Sequence, residues 1–173
     1  MLTTCKNQIK AALAGITVDG VAIDGQNIFL DASDINRRRP LHYAVVVTGS
    51  DVLAPKWTTE DKGFRDGGLK VCKRKYDRTL SLLVTIGGHS EDWVDQLVDN
   101  LLATLPRWIL DGEDDVEIIP HAMEWMDSEA VIKGKAAAVI IRIDYKKPIK
   151  EWNVVPYFNK VTIETAVGND LAE

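Results

Sequence analysis

Successive β-prone runs with no helix between them constrain this chain more than any other feature. Residues 41–48, 69–76 and 78–86 read as strands, and 116–126 and 131–145 read as a second such group. Parallel neighbours need a crossover of a dozen residues or more, usually a helix, so strands that follow one another directly point to antiparallel pairing. The predicted fold is therefore α+β. It consists of an antiparallel β-sheet with two main helices packed on one face, a long loop and a C-terminal arm.

Periodicity places the pieces. Ile9, Ala12 and Leu13 recur at helical spacing within residues 3–14, and Gly15 is a candidate stop. Asp19-Gly20 and Asp24-Gly25 separate short β-prone runs, which is turn chemistry and predicts a small β excursion. Residues 41–48 are apolar enough on both faces for a central strand. Leu80, Leu82, Val84 and Ile86 alternate on one face of 78–86, which together with 69–76 forms one long strand or a tight pair. Ser90 then caps a helix carrying Trp93, Val94, Leu97, Val98, Leu101, Leu102 and Leu105, which Pro106 ends. The runs 116–126 and 131–145 make a long hairpin across residues 127–129.

Two segments lack periodicity. Residues 49–68 combine Pro55, Gly63, Gly67 and Gly68 with many charges, and are expected to form a long exposed loop. Residues 148–173 carry Trp152, Tyr157 and Phe158 with no clear pattern and end in small and acidic residues, and are expected to form an arm appended to a domain spanning 1–147.

Composition excludes several function classes. At 173 residues, 46% apolar and 27% charged, the chain suits one self-sufficient domain and not a disordered segment. The first residues lack the pattern of a signal peptide, so no export is expected. The apolar run 136–141 is far too short for a membrane helix. Cys5 and Cys72 form neither a CxxC nor a zinc-ligand set, and reduced thiols in a reducing cytosol are expected. A net charge of −5 argues against a dedicated nucleic-acid binder.

No motif carries catalytic chemistry, so no catalytic, cofactor or metal residues are assigned. His42, His89 and His121 fall in different elements, without ligand spacing; a metal site would need them to converge with carboxylates such as Asp51, Asp92 or Glu124. The acidic cluster Asp111, Glu113, Asp114 and Asp115 lacks the spacing of a calcium loop and reads as a solvated turn. Gly87-Gly88 has no phosphate-loop frame, and no serine sits in a nucleophile elbow. The basic runs 37–39 and 73–75 read as solvated faces or partner contacts.

Five tryptophans exceed what a core this size needs. Trp93 and Trp125 are expected in the core and Trp108 at the helix exit, while Trp57 and Trp152 fall on irregular segments, where aromatic side chains serve protein contacts or pack on their own domain. The interface candidates are Trp57, Glu60, Asp61 and Arg65 in the 49–68 segment, Arg37 and Arg38 in the basic run, and Trp152, Tyr157 and Phe158 in the arm.

The layout resembles the tail terminator, or tail completion, proteins of tailed bacteriophages. The resemblance rests on the first helix at 3–14, on the run Tyr76-Asp77-Arg78-Thr79-Leu80-Ser81-Leu82-Leu83-Val84-Thr85-Ile86 leading to the helix 91–105, and on the closing hairpin of 118–125 with 136–145. It covers residues 1–147 and is a pattern of elements without a diagnostic motif. It implies a non-enzymatic virion protein of the head-proximal tail, assembled in the host bacterial cytoplasm. Six copies would close a ring on the tail tube protein, halt tube polymerisation and offer a joining surface to the head completion or neck protein, with the tail sheath protein as a further partner and DNA only passing through the lumen. Another neck, connector or baseplate-proximal protein would use the same ring logic. A small metal-dependent hydrolase is the reading from a different class.

Overall fold

Leu80, Leu82, Val84 and Ile86 are almost wholly buried, and around this row the chain builds one six-stranded sheet. The structure, a computed structural model, describes residues 1–31, 33, 40–65, 68–112, 114–126 and 137–155. The fold is mixed α+β, mostly strands, with a curled sheet and two α-helices among the described residues.

Helix α1, Leu2–Ala14, buries Cys5, Ile9 and Leu13 at intervals of four, and the Gly15 N–H bonds back to the Ala12 carbonyl at 3.2 Å. Strands β1, Thr17–Val18, and β2, Val21–Ala22, form a minimal hairpin. Asp19 and Gly20 both adopt positive φ, +50° and +76°, as a primed two-residue turn requires. Asp24-Gly25 does something else. The Asp24 carboxylate accepts from the Gln26 N–H at 2.8 Å and caps a 3-10 turn, Gly25–Asn27, which delivers β3, Ile28–Phe29.

Strands β4, Tyr43–Arg65, and β5, Gly68–Gly88, form a hairpin of more than twenty residues a side, and β5 is a single strand. Helix α2, Glu91–Thr104, follows. The Ser90 hydroxyl accepts from the Trp93 N–H at 3.2 Å, Glu91 and Asp92 sit in the positive first turn, and Trp93, Val94, Leu97, Val98 and Leu101 are buried. Each such side chain contributes about 1.5–3 kcal/mol on burial. Strands β6, Trp108–Asp111, and β7, Asp114–Trp125, turn about Gly112, whose φ is +73°; β8, Ala137–Val155, completes the sheet. The order is β3-β4-β5-β8-β7-β6. Only the β3–β4 pair is parallel among the described strands.

One large cluster joins the buried sides of α1 and α2 to Ala44 and Val46 of β4, the Leu80 row of β5, Val116 and Ile118 of β7, and Val139, Ile141, Ile143 and Tyr145 of β8. A smaller cluster of Phe29, Tyr43 and Val45 includes the Tyr43 ring, which lies against Gly87 so closely that an added Cβ would stand 2.2 Å from Cε1.

Three expectations need correction. Residues 49–65 are not a loop; they are the outer two-thirds of β4. Here a β-branched and polar strand pairs with β5 over its whole length and bulges near Gly49, Lys56 and Glu60, so proline and glycine are absorbed as irregularities of the ladder. Residues 148–155 continue β8 on the same ladder to β5, so the boundary expected at 147/148 falls inside a strand; residues 156–173 lie outside the described residues. Trp93 is core at 1% exposure, whereas Trp125 is 43% exposed on β7 and Trp108 is 48% exposed on β6. No helix among the described residues is long and apolar enough to cross a membrane.

Candidate functional site: an exposed three-stranded ribbon

Beyond Thr48, β4 leaves the core in company with the first half of β5 and the second half of β8. The register runs from Asp51, Leu80 and Tyr145 to Phe64, Leu69 and Val155. These three lengths make a ribbon in which every residue of β4 from 50 to 60 is exposed. Beyond Lys146, no described strand pairs with β8 except β5.

Charged groups bind the ribbon across its strands. Arg78 of β5 grips Asp51 of β4 with two hydrogen bonds, Nε to Oδ1 at 2.9 Å and Nη2 to Oδ2 at 2.5 Å. These bonds from Arg78 hold the Asp51 carboxyl below its ordinary range. Glu60 of β4 reaches Arg74 of β5 at 3.0 Å and Lys150 of β8 at 3.2 Å. Its partial burial disfavours the charge, but hydrogen bonds from Arg74 and Lys150 outweigh this and lower its pKa. Arg74 also pairs with Asp77, three residues on and past a bulge, and Lys75 pairs with Glu151.

Beside these joined charges and its exposed lysines, the ribbon leaves large apolar side chains uncovered. Val52 is 53% exposed, Leu53 55%, Trp57 67%, Trp152 51% and Val154 60%. Trp57 sits in the β4 bulge at φ +49°, a left-handed conformation disfavoured for a residue with a Cβ, with its ring 5.8 Å from that of Tyr76.

The expected interface residues divide accordingly. Trp57 and Trp152 stand on the ribbon, and Glu60 is part of its internal bracing. Asp61 and Arg65 are on β4 near the tip. Arg37, Arg38, Tyr157 and Phe158 lie outside the described residues. Val52, Leu53 and Val154 were not singled out from sequence. Their signal would have been apolar residues placed opposite partner residues of a second strand, which becomes readable once the register is known.

Two other charged clusters lie outside the ribbon. At the ribbon base, Asp111 accepts from Thr4 Oγ1 at 3.0 Å, from the Met1 amino group at 2.8 Å and from Lys147 Nζ at 2.9 Å. These bonds, with that from Lys147 the strongest, drive its carboxyl well below the ordinary range. Asp111 is therefore the tie between α1 and the sheet, not a freely solvated turn residue. On β8, Asp144 is 3% exposed. It takes two bonds from Arg142, at 3.0 and 3.1 Å, and His121 Nε2 lies 3.0 Å from its Oδ2. Burial works against its ionisation, but the Arg142 and Ser81 hydrogen bonds prevail and keep its pKa low.

The histidines occupy two separate places. His42 Nε2 and His89 Nδ1 are 2.8 Å apart, and both rings lie against Trp93, whereas His121 belongs to Asp144. No grouping of three or more His, Cys, Asp or Glu able to hold a metal occurs among the described residues. Cys5 and Cys72 are buried and not disulfide-bonded, and burial pushes the Cys5 thiol up to about 11. A hollow of about 560 Å³ is lined by Arg74, Lys146 and Lys150 together with Asp77, Asp115 and Glu117, so both charge signs face it. No protein-family model matches the chain, and comparison with curated proteins finds no relative.

Proposed function

We propose that this chain is a structural subunit of a bacteriophage tail, a tail terminator that closes as a hexameric ring on the end of the tail tube. It acts without catalysis or cofactor. The ring stops tube polymerisation and gives the head completion or neck protein its joining surface; the tail sheath is a further neighbour, and DNA passes through the lumen. On this reading the protein belongs to the head-proximal virion tail and is assembled in the bacterial cytoplasm.

The observation that carries the reading is the ribbon. A folded body that already has its core extends three strands into solvent, braces them with internal ion pairs and leaves Val52, Leu53, Trp57, Trp152 and Val154 uncovered. Exposed apolar and aromatic side chains on a braced element are what a protein contact uses. The cluster shared by α1 and α2 supports the finer fold reading, with both helices on one face. Residues 148–173 act as the arm, with the first eight anchored in the ribbon.

Negative-stain microscopy of the purified protein mixed with tail tubes tests this. Ring density on one end, with tube length held constant, is expected. Density at the neck or baseplate would move the protein to another level of the particle, and bare tubes would remove the tail reading.

A further inference from the structure

Among the described residues, two strand edges of the ribbon have no strand beside them: β3 pairs with β4 at Ala44 and Val45, and β7 pairs with β8 as far as Lys146. Each open edge is a row of unpaired N–H and C=O groups that can template another strand. Since β4 and β8 are both antiparallel to β5, they run in the same direction, from body to tip.

We infer that the subunits of the proposed ring join by strand pairing between ribbons, with β4 of one copy lying parallel to β8 of the next. The inference rests on the ring reading and supplies its contact. A second copy is the occupant for two reasons. One head-to-tail contact uses both open edges of every subunit, whereas a two-fold contact of β4 with β4, or of β8 with β8, leaves the other edge bare. The exposed apolar side chains also lie on these two edge strands: Val52, Leu53 and Trp57 on β4, and Trp152 and Val154 on β8.

Bulges restrict where pairing can occur. β4 is regular from Ser50 to Pro55, and β8 is regular from Ile149 to Val155. Matching these stretches offsets neighbouring ribbons along their length, as a closed ring of tilted strands requires.

The test is hydrogen–deuterium exchange of the full chain, free and assembled, with proline variants. Assembly is expected to slow exchange in both 50–55 and 149–155, at alternate amides. Proline is placed singly at the adjacent Asn153 and Val154 (Asn153→Pro, Val154→Pro), with Asn153→Ala and Val154→Ala as side-chain controls. Adjacent N–H groups point to opposite sides of a strand, so one proline removes a donor to β5 and the other an outward donor. The variant whose β5 exchange stays native is expected to lose ring formation at least tenfold, while its alanine control keeps it. Rings that form with neither stretch protected, or with only one, overturn the inference and leave the ring reading standing. Protection of 149–155 already present in the free monomer also overturns it, because that edge is then occupied within its own chain. A chain that forms no ring and binds no tube overturns both.

Discussion

Between Tyr43 and Val46, β4 is buried at every position; from residue 50 to 60 the same strand is exposed at every position. Along β5 and β8 the rows of Leu80–Ile86 and Val139–Tyr145 give way to a ribbon of arginine, lysine and carboxylate pairs, in which β5, the middle strand, stays partly covered and buries Val71 and Cys72. The ladder of backbone hydrogen bonds is common to both regions, so it cannot be what distinguishes them. The body gains its stability from apolar area removed from water, and the ribbon from cross-strand pairs, each worth about 0.2–1 kcal/mol. A long strand can thus be continuous in geometry while its two halves do different work.

The difference can be broken most forcefully in the body. Leu82→Ala and Ile141→Ala, at 0% and 1% exposure, are expected to cost about 2–5 kcal/mol in denaturant unfolding, while Val52→Ala and Leu53→Ala change stability by about 0.5 kcal/mol or less. Equal losses in the two sets would erase the distinction. Gly87→Ala drives a Cβ to 2.2 Å from the Tyr43 ring and is expected to cost about 1–3 kcal/mol, measured the same way, with Tyr43→Ala recovering part of the loss when combined with it.

Smaller effects sharpen the contrast. Ser90→Ala removes the cap of α2 and is expected to lower stability by about 1 kcal/mol. Acid probes the seam between the regions. The Asp111 pKa is lower in the folded state, so its contribution is fully present above the ordinary carboxylate value of 3.8 and is lost as pH falls below it. Wild type is therefore expected to lose stability between about pH 5 and pH 2 more steeply than Asp111→Asn, whose deficit is present at neutral pH. Glu60→Gln is expected to cost less than about 1 kcal/mol and to narrow its gap from wild type as salt rises, because its partners are partly solvated. A large, salt-independent loss would mean that the ribbon is held as the body is.

Helix α2 was legible because one of its sides is buried and the other wet, which writes a period into the residues themselves. The Leu80 row was legible for the same reason at period two. The outer length of β4 was not: with every residue from 50 to 60 exposed there is no alternation to read, and Pro55 and Gly63 look like loop residues until a partner strand is in place. Among the site candidates, Trp57 and Trp152 stand exposed on the ribbon, while Glu60 takes part in its internal bracing. Asp111 looked like part of a solvated acidic turn, because its partners Thr4 and Lys147 are distant in sequence.

What this sequence determined by itself was local: where helices start and stop, which strands have a buried side, and that β4 with β5 and β7 with β8 pair antiparallel, since each follows from periodicity and chain connectivity. Tertiary structure alone decided the register that carries β4, β5 and β8 past the core, the pairing of charges across them, and which side chains remain uncovered. Those outcomes depend on residues dozens of positions apart being set opposite one another, and that information resides in the assembled sheet.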